Sequence, residues 1–318
     1  MISLNTYSFA IRMGLIRTKK CYEWKFTKFL ELCLKKKIQF IEFPIDYFSS
    51  KEGLSFRELL ECCRKKKIKP IIALEKFNIS SIKKLLALSD TYAFSFVRVK
   101  MSNFFGGNRY KQKKFLIIKK KFEKKLIFCS QLIKNSNLKL AINNHQDLSS
   151  KEILNILKKS SKNIFINWDV GNSLATCETP DQFFNRCKKY IINVHFKDYK
   201  IILSNKGFYL KRTALGQGFV KMKKFIDFFK KSDINISVEL AAHVHRHCDL
   251  FNKEFSKHHT NTKREINKFN NFIIKNASNE NPLSNWEIYK NPKISTKDEL
   301  KEFAKSYSEL LKCLKKKQ

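Results

Sequence analysis

Two hydrophobic periods alternate along most of the chain. Short apolar runs, such as 69–74 and 139–143, have the length and composition of buried strands. Between them lie stretches in which apolar residues recur every three or four positions, as in 23–37 and 56–67, and that spacing predicts amphipathic helices. The chain is therefore expected to alternate between strands and helices.

Eight strands follow from this pattern, and a helical segment is predicted after each of them. The strands are 2–9, 39–43, 69–74, 95–99, 139–143, 164–168, 190–194 and 235–239. Eight parallel β/α units in about 240 residues have the size and order of a TIM (β/α)8 barrel, whose functional residues lie at the strand C-termini. A doubly wound open sheet is the alternative fold, but no Gly-rich dinucleotide-binding sequence follows the first strand.

The chain beyond residue 250 shows a different pattern. Residues 252–279 are polar and helical with weak apolar periodicity, and the Ser-Thr-x-x-Glu sequence at 295–299 predicts the capped start of a last helix. We expect that helix to close the barrel as its eighth, and the segment before it to form an insertion or flap. The predicted organisation is a barrel over residues 1–250 and a C-terminal helical extension over residues 251–318.

The 318-residue chain carries a formal net charge of +37, from 65 Lys and Arg against 28 Asp and Glu. Such a charge attracts anionic partners. The excess is nevertheless Lys spread over the whole length, without an Arg-rich or aromatic-interleaved patch, which argues for a solvated surface and against nucleic acid as a partner. An anionic small substrate would still be attracted.

The cysteine content and the hydrophobicity profile bear on location. The 9 Cys are scattered and include no Cys-x-x-Cys pair, which fits free thiols in a reducing compartment. The first residues lack the basic and apolar regions of a signal peptide, and no apolar run reaches membrane-spanning length. We therefore expect a cytoplasmic protein without a membrane partner.

Polar residues stand where several predicted strands end. Asp169 follows strand 164–168 and His195 follows strand 190–194, and the Thr-Pro-Asp-Gln sequence at 179–182 predicts a capped helix between them. Parallel strands joined by such a crossover end at the same edge of a sheet, so Asp169 and His195 should lie side by side. A carboxylate and an imidazole in one pocket are metal ligands or acid–base groups, although each alone is also a common structural residue.

The strand-end motifs taken together resemble those of the xylose isomerase-like TIM barrels, a family of sugar phosphate isomerases and epimerases related to endonuclease IV. The resemblance covers roughly residues 2–247. Its motifs are INNHQD at 142–147, WDVGN at 168–172, VHFKD at 194–198, LGQG at 215–218 and SVEL at 237–240.

This resemblance implies one divalent ion, Mn²⁺, Mg²⁺, Co²⁺ or Zn²⁺, held at the ends of the fifth to eighth strands. By motif, its ligands are Asn143, Asp169, His195 and Glu239. The implied reaction is proton abstraction from the carbon next to a carbonyl of a sugar or sugar phosphate, with Lys197 facing the substrate. Glu42 matches a frequent acidic position of the second strand.

The departure from the family pattern is Asn143, which stands where relatives have Glu. An amide oxygen can bind a metal but cannot accept a proton, so we expect a weakened metal site with Glu239 as its remaining carboxylate base. His145 or Glu42 would supply a second acid–base group if either reaches the pocket. A one-base isomerisation is more compatible with Asn143 than a two-base epimerisation is. A catalytically degenerate barrel that binds a sugar-like ligand or partner is the most compatible of the three.

An endonuclease IV-like nuclease is the third hypothesis, which the charge favours and the ligands oppose. A three-zinc site needs more His and carboxylate ligands than the strand ends supply. His243, His245, His247 and Cys248 could add some, but an exposed polar turn after the last strand is the expected structure.

Two other polar features have structural interpretations. Arg98, within the fourth strand, is expected to pair with a strand-end acid such as Glu75, although substrate contact is the alternative. The Phe-Phe-Gly-Gly-Asn sequence at 104–108 is expected to form a flexible loop, which is either a lid over the pocket or a plain connection.

Overall fold

A computed structural model describes residues 1–16, 24–45, 52–111, 113–229, 232, 234–241 and 243–315. In chain order its strands are Ile2–Asn5 (β1), Phe40–Pro44 (β2), Lys69–Leu74 (β3), Val97–Val99 (β4), Leu140–Asn143 (β5), Ile164–Asp169 (β6), Ile191–Phe196 (β7), Asp198–Ser204 (β8), Gly207–Thr213 (β9), Asn235–Val238 (β10) and Arg246–Cys248 (β11).

Its α-helices are Phe26–Lys35 (α1), Phe56–Lys65 (α2), Ile79–Ser89 (α3), Phe115–Leu132 (α4), Ser150–Lys158 (α5), Pro180–Cys187 (α6), Met222–Phe229 (α7), Lys253–Lys257 (α8), Lys263–Lys275 (α9), Asn285–Tyr289 (α10) and Pro292–Lys315 (α11). Short 3-10 helices occupy Thr6–Phe9, Arg109–Lys111, Gly171–Thr176 and Lys188–Tyr190.

Eight of the strands form a closed parallel barrel in the order β1-β10-β7-β6-β5-β4-β3-β2. β10 closes the barrel because it pairs with β7 on one side and with β1 on the other. The predicted TIM barrel is therefore confirmed, with helices around it and a helical segment at the C-terminal end. The first strand is shorter than predicted, because the Asn5 side chain accepts a hydrogen bond from the Tyr7 N–H at 2.9 Å and caps a 3-10 turn.

Alternate residues of the barrel strands belong to two different cores. Ile41, Ile72 and Ile142 join the large core between the strands and the helices, whereas their neighbours Phe40 and Ile71 belong to a small cluster inside the barrel. Because side chains in a strand alternate between its two faces, the inward residues of each strand are fixed by this parity.

Local capping signals set several helix starts. The predicted capping boxes at Ser149 and Thr179 are both present and begin α5 and α6. The predicted cap at Ser295 is wrong, because α11 already begins at Pro292, whose fixed φ suits a first helical position. The carboxylate of Glu299 instead accepts the backbone N–H groups of residues 11 and 12, at 2.7 and 3.1 Å.

The last helix lies where the eighth helix of a barrel belongs. α11 packs against α7 and against the Thr6–Phe9 turn that follows β1. Its Phe303 ring lies 5.1 Å from that of Phe9, and its Tyr307 hydroxyl donates a hydrogen bond of 2.5 Å to the Lys36 carbonyl. The boundary at residue 250 between barrel and extension stays a prediction.

The chain also forms a second sheet that the sequence did not predict. β8 and β9 are an antiparallel hairpin, and β11 adds to β9 through the pairs Arg246–Leu210 and Cys248–Phe208. The expected exposed turn at 243–248 is thus wrong, because its backbone pairs with β9 and buries Cys248 completely. None of the helices that the structure describes is both long and apolar enough to cross a membrane.

Candidate functional site

Several barrel strands each carry one polar residue that points into the barrel near the strand's C-terminal end. Asn143, at the end of β5, and Asp169, at the end of β6, are inward and buried. His195 of β7 is the register partner of Asp169, and Glu239 follows β10 directly. The sequence-predicted ligands therefore lie at the C-terminal end of the barrel, where the active sites of such barrels are found.

The imidazole of His195 is the centre of this cluster. Its Nδ1 lies 2.6 Å from Asp169 Oδ1 and 2.5 Å from Glu239 Oε2, and its Nε2 lies 2.5 Å from Glu42 Oε2. Burial alone would lower the pKa of His195, but the three carboxylates outweigh it and raise the pKa well above its usual range.

The donor set of this cluster fits a divalent metal ion. Asp169, His195 and Glu239 offer ligand atoms that all lie within 4.8 Å of one another, and they are the one such group found among the described residues. Two carboxylates and an imidazole suit zinc or manganese. Glu42 holds Nε2 of the ring, as the carboxylate behind a metal-binding histidine commonly does, and thereby aims Nδ1 at the two carboxylates.

Glu42 is part of a buried chain of charges and does not line the cavity beside the cluster. It also accepts a hydrogen bond from Nε of Arg98, whose guanidinium donates a second one to Glu75 at 2.9 Å. The predicted Arg98–Glu75 pair is thus confirmed, and Lys100 completes the chain through Glu75. Burial would raise the pKa of Glu42, but His195 and Arg98 hold it below its usual range. Glu42 positions His195 and has no access to a substrate.

Asn143 lines the cavity next to the cluster. Its amide nitrogen donates to the Asn167 carbonyl at 3.4 Å, so its amide oxygen is the atom that could reach an ion. Asp169 is held more firmly, because Asn172 donates to its carboxylate and the Tyr199 hydroxyl donates to Asn172 at 3.1 Å.

Lys197 is a buried cation beside the cluster. Its Nζ lies 3.1 Å from Glu239 Oε1 and 3.6 Å from Asp169 Oδ2, and it lines the cavity. Contact of Lys197 with a substrate stays a prediction. Burial would raise the pKa of Glu239, but Lys197 and His195 hold it well below its usual range. Glu239 is therefore ionised at neutral pH.

A cavity of about 420 Å³ opens over these residues. His145 lines it, and its buried Nδ1 has no hydrogen-bond partner. Burial, followed by the charges of Lys100 and Lys197, lowers the pKa of His145 well below its usual range, so this ring is neutral. A neutral imidazole facing a cavity can accept or donate one proton.

The histidines that follow the last barrel strand do not assemble into a further metal site. His243 accepts from Arg212 at 3.0 Å, His245 lies 2.7 Å from Glu287, and His247 lies 2.5 Å from Asp249. Each ring thus has a separate partner. The extra ligands of a three-zinc nuclease are absent from the described part of the chain.

The last residue of the His-Phe-Lys-Asp motif has a structural role. The Asp198 carboxylate accepts backbone N–H groups from Gly216, Gly218 and Val220 at 2.9–3.0 Å. A Cβ atom at Gly218 would lie 2.3 Å from Asp198 Oδ1, which explains why glycine stands there. Two of the recognised motifs therefore form one contact that fixes the loop beside the site.

The glycine loop after β4 is hydrogen-bonded to two neighbouring segments. The Gly106 N–H donates to Gln146 at 2.7 Å, and Asn108 donates to the His247 carbonyl at 3.0 Å. These bonds join the loop to the residues after β5 on one side and to β11 on the other, and its two interpretations, a lid and a plain connection, stay predictions.

Gly107→Ala is expected to destabilise the fold by about 2–3 kcal/mol. Gly107 has φ +64°, and its added Cβ would lie 1.6 Å from the Ala175 carbonyl oxygen. Gly53 has nearly the same φ, +66°, with nothing within 4 Å, so Gly53→Ala isolates the backbone strain, at about 1 kcal/mol. Urea denaturation measures both, and equal losses would contradict the packing argument.

A closed parallel barrel with buried carboxylates, a histidine and a lysine at its strand C-termini defines the chain as an α/β-barrel protein with an active-site-like pocket. A family model described as "Xylose isomerase-like TIM barrel" matches residues 95–267, which is more than half of the chain. The chain belongs to this family.

Solved structures share the fold at low sequence identity. D-Psicose 3-epimerase from Clostridium cellulolyticum H10 is similar with a TM-score of 0.57 and 9% identity over 87% of this chain and 99% of that chain. The IOLI protein with a bound zinc atom is similar with a TM-score of 0.53 and 16% identity, over 87% of this chain and 99% of that chain. An AP endonuclease of family 2 from Brucella melitensis is similar with a TM-score of 0.53 and 7% identity, over 75% of this chain and 92% of that chain. A search of curated protein sequences finds no match.

Proposed function

We propose that this chain is a cytoplasmic, metal-dependent isomerase or epimerase that abstracts a proton next to the carbonyl of a sugar or sugar phosphate. The main support for this proposal is the cluster of Asp169, His195 and Glu239, which lies beside Lys197 under one cavity. The similar structures include a 3-epimerase of D-psicose and a protein that binds zinc, which fits this proposal. The eight described cysteines are free, as in a reducing compartment.

A divalent ion at the cluster would supply positive charge that polarises a substrate carbonyl. Asp169, His195 and Glu239 would hold it, with Asn143 contributing its amide oxygen. Glu239 is ionised and faces the cavity, so it is the base that takes the proton. The ammonium group of Lys197 lies 3.1 Å from that carboxylate. Proton transfer to Glu239 becomes easier when this ammonium group turns to an oxygen of the substrate, because the carboxylate is then less stabilised in its ionised form.

His145 is the second acid–base group in this proposal. Its neutral ring faces the cavity, so it can accept a proton from a hydroxyl of the substrate and give it to the neighbouring oxygen, while Glu239 returns the proton that it took to the neighbouring carbon. Because Asn143 cannot accept a proton, the arrangement favours an isomerisation with one carboxylate base over an epimerisation with two.

Titration of metal-stripped protein with Mn²⁺ tests the proposed metal site. We expect saturable binding of one ion by the natural protein and its loss in Asp169→Ala. Asn143→Glu adds a carboxylate to the ligand set and should tighten binding, since the number of charged ligands tunes the affinity of a site for a divalent ion. Calorimetry measures all three proteins.

Other outcomes would favour the alternatives. Absence of binding by the natural protein, with binding restored in Asn143→Glu, would identify a degenerate barrel that binds a ligand or partner. Metal-dependent cleavage of DNA with an abasic site would identify a nuclease, and the ligand set of the described residues argues against that result.

A further inference from the structure

Four lysine and arginine side chains line the cavity, and three of them pair with carboxylates. Arg98 and Lys100 pair with Glu75, and Lys197 lies between the carboxylates of the metal-ligand cluster. Arg246, on β11, is the fourth, and it forms no ion pair with any residue that the structure describes.

The guanidinium of Arg246 is held against an aromatic ring. Its central carbon lies 3.7 Å from the centroid of the Phe105 ring, and its Nε is buried without a hydrogen-bond partner. Glu287, a carboxylate whose charge acts on Arg246, is itself held by His245 and by the backbone of Ser284. Burial lowers the pKa of Arg246. The side chain is half-buried, and an anion beside it would offset the cost of removing its charge from water.

Arg246 and Phe105 are also fixed relative to each other. Phe105 lies in the loop that Asn108 ties to the His247 carbonyl, one residue beyond Arg246. A Cβ atom at Gly106 would lie 2.2 Å from that same carbonyl oxygen, so the loop and β11 are in direct contact. The guanidinium therefore lies over the Phe105 ring at the cavity, where its N–H donors can face two oxygens of a phosphate or a carboxylate.

We propose that Arg246 binds the anionic group of the substrate, a phosphate monoester or a carboxylate, and so makes charged sugars the preferred substrates. This inference rests on the proposed function for the sugar part of the substrate, but the anion site itself stands on the unpaired guanidinium in the cavity. A guanidinium offers parallel N–H donors that match two oxygens of either group.

Anion titrations of metal-stripped protein test this site, after the EDTA used for stripping has been removed by dialysis, because EDTA is itself a polycarboxylate and a bound metal ion could itself bind the anion. The probes are inorganic phosphate and acetate, measured by calorimetry. We expect the natural protein to bind one of them better than the other, and Arg246→Met to weaken that binding about 10- to 100-fold. Tighter binding of phosphate indicates a sugar phosphate, and tighter binding of acetate indicates a sugar acid.

Two further variants serve as controls. Arg246→Lys keeps the charge but loses the planar donor pair and the stacking, so its affinity should lie between the other two, and it also decides the matter if Arg246→Met fails to fold. Arg57→Met removes the same charge from an exposed position of α2 and should change nothing.

Some outcomes would overturn the inference. They are equal anion binding by the natural protein and Arg246→Met, an equal loss in Arg57→Met, or no binding of either probe by the natural protein. Mn²⁺ titration tests the proposed metal-dependent function independently of the anion site. Anion binding that depends on Arg246, with no Mn²⁺ binding, would leave the anion site standing and reject the metal-dependent reaction, whereas Mn²⁺ binding without an anion site would do the reverse.

Discussion

Glu239→Gln should lower the rate of proton abstraction by about 10²- to 10⁴-fold, the range that a positioned general base contributes. The amide has the same size and keeps an oxygen for an ion, but it cannot accept a proton. Deuterium entry from D₂O at the carbon next to the carbonyl measures this step whatever the final product is. Fructose 6-phosphate and fructose, at saturating Mn²⁺ and with deuterium content followed by mass spectrometry, are suitable first substrates.

The matched control is Glu280→Gln. Glu280 pairs with Lys200 and borders a different cavity, so the same chemical change there should leave the exchange rate within about 3-fold, as a surface pair predicts. Because Glu239 is also a ligand in the proposal, Mn²⁺ binding by Glu239→Gln must be measured beside the rate. Undiminished exchange in that variant, at full metal occupancy, would move the role of base to another group such as His145.

The barrel was predictable because its signals are local. Each barrel strand is a short apolar run, and α5 and α6 each begin at a capping box that is visible in four residues. Strand–helix alternation repeated eight times leaves few other folds. The proposed ligand positions follow from the same pattern, since Asp169, His195 and Glu239 all stand at strand ends with inward parity.

The second sheet was missed because half of its pairing is not local. β11 pairs with β9 across more than 30 residues of intervening sequence, and three residues of a His-rich segment carry no strand signal of their own. The hairpin did have one. Asn205, Lys206 and Gly207 have the composition of a tight turn, and after them the apolar Phe208 and Leu210 alternate with Tyr209 and Lys211.

That omission also hid part of the pocket. Arg246 reaches the cavity only because β11 joins β9, so its role could not be derived from its place in the sequence. The pairing of Glu42 with His195 was equally out of reach, because it joins β2 to β7 across the barrel and depends on how both side chains rotate. The residue types were visible in the sequence, and the contacts between distant strands were not.

Arg98→Met is expected to destabilise the protein by about 3–5 kcal/mol, the cost of breaking a buried ion pair by removing one partner. Arg98 is 4% exposed, and it separates two carboxylates, Glu42 and Glu75. Methionine fills a similar space without a charge, so Glu42, which is fully buried, keeps His195 as its one charged partner among the described residues. Urea denaturation with a two-state fit measures the loss.

An exposed pair provides the comparison. Arg64 bonds Glu61 on the surface of α2, and Arg64→Met should cost at most about 1 kcal/mol, as exposed pairs do. Equal losses for the two arginine variants would contradict the assignment of a buried charge network.

The double variant Arg98→Met with Glu42→Gln locates the cost. If the unpaired Glu42 carboxylate causes the instability, its removal should recover part of the loss, and the two changes should not be additive. The same double variant should bind Mn²⁺ more weakly than the natural protein, because Glu42 no longer fixes Nε2 of His195 and the ring is less firmly aimed at Asp169 and Glu239. A double variant that is more stable than Arg98→Met but binds Mn²⁺ more weakly than the natural protein would show that the buried charge of Glu42 positions His195 at a cost in stability.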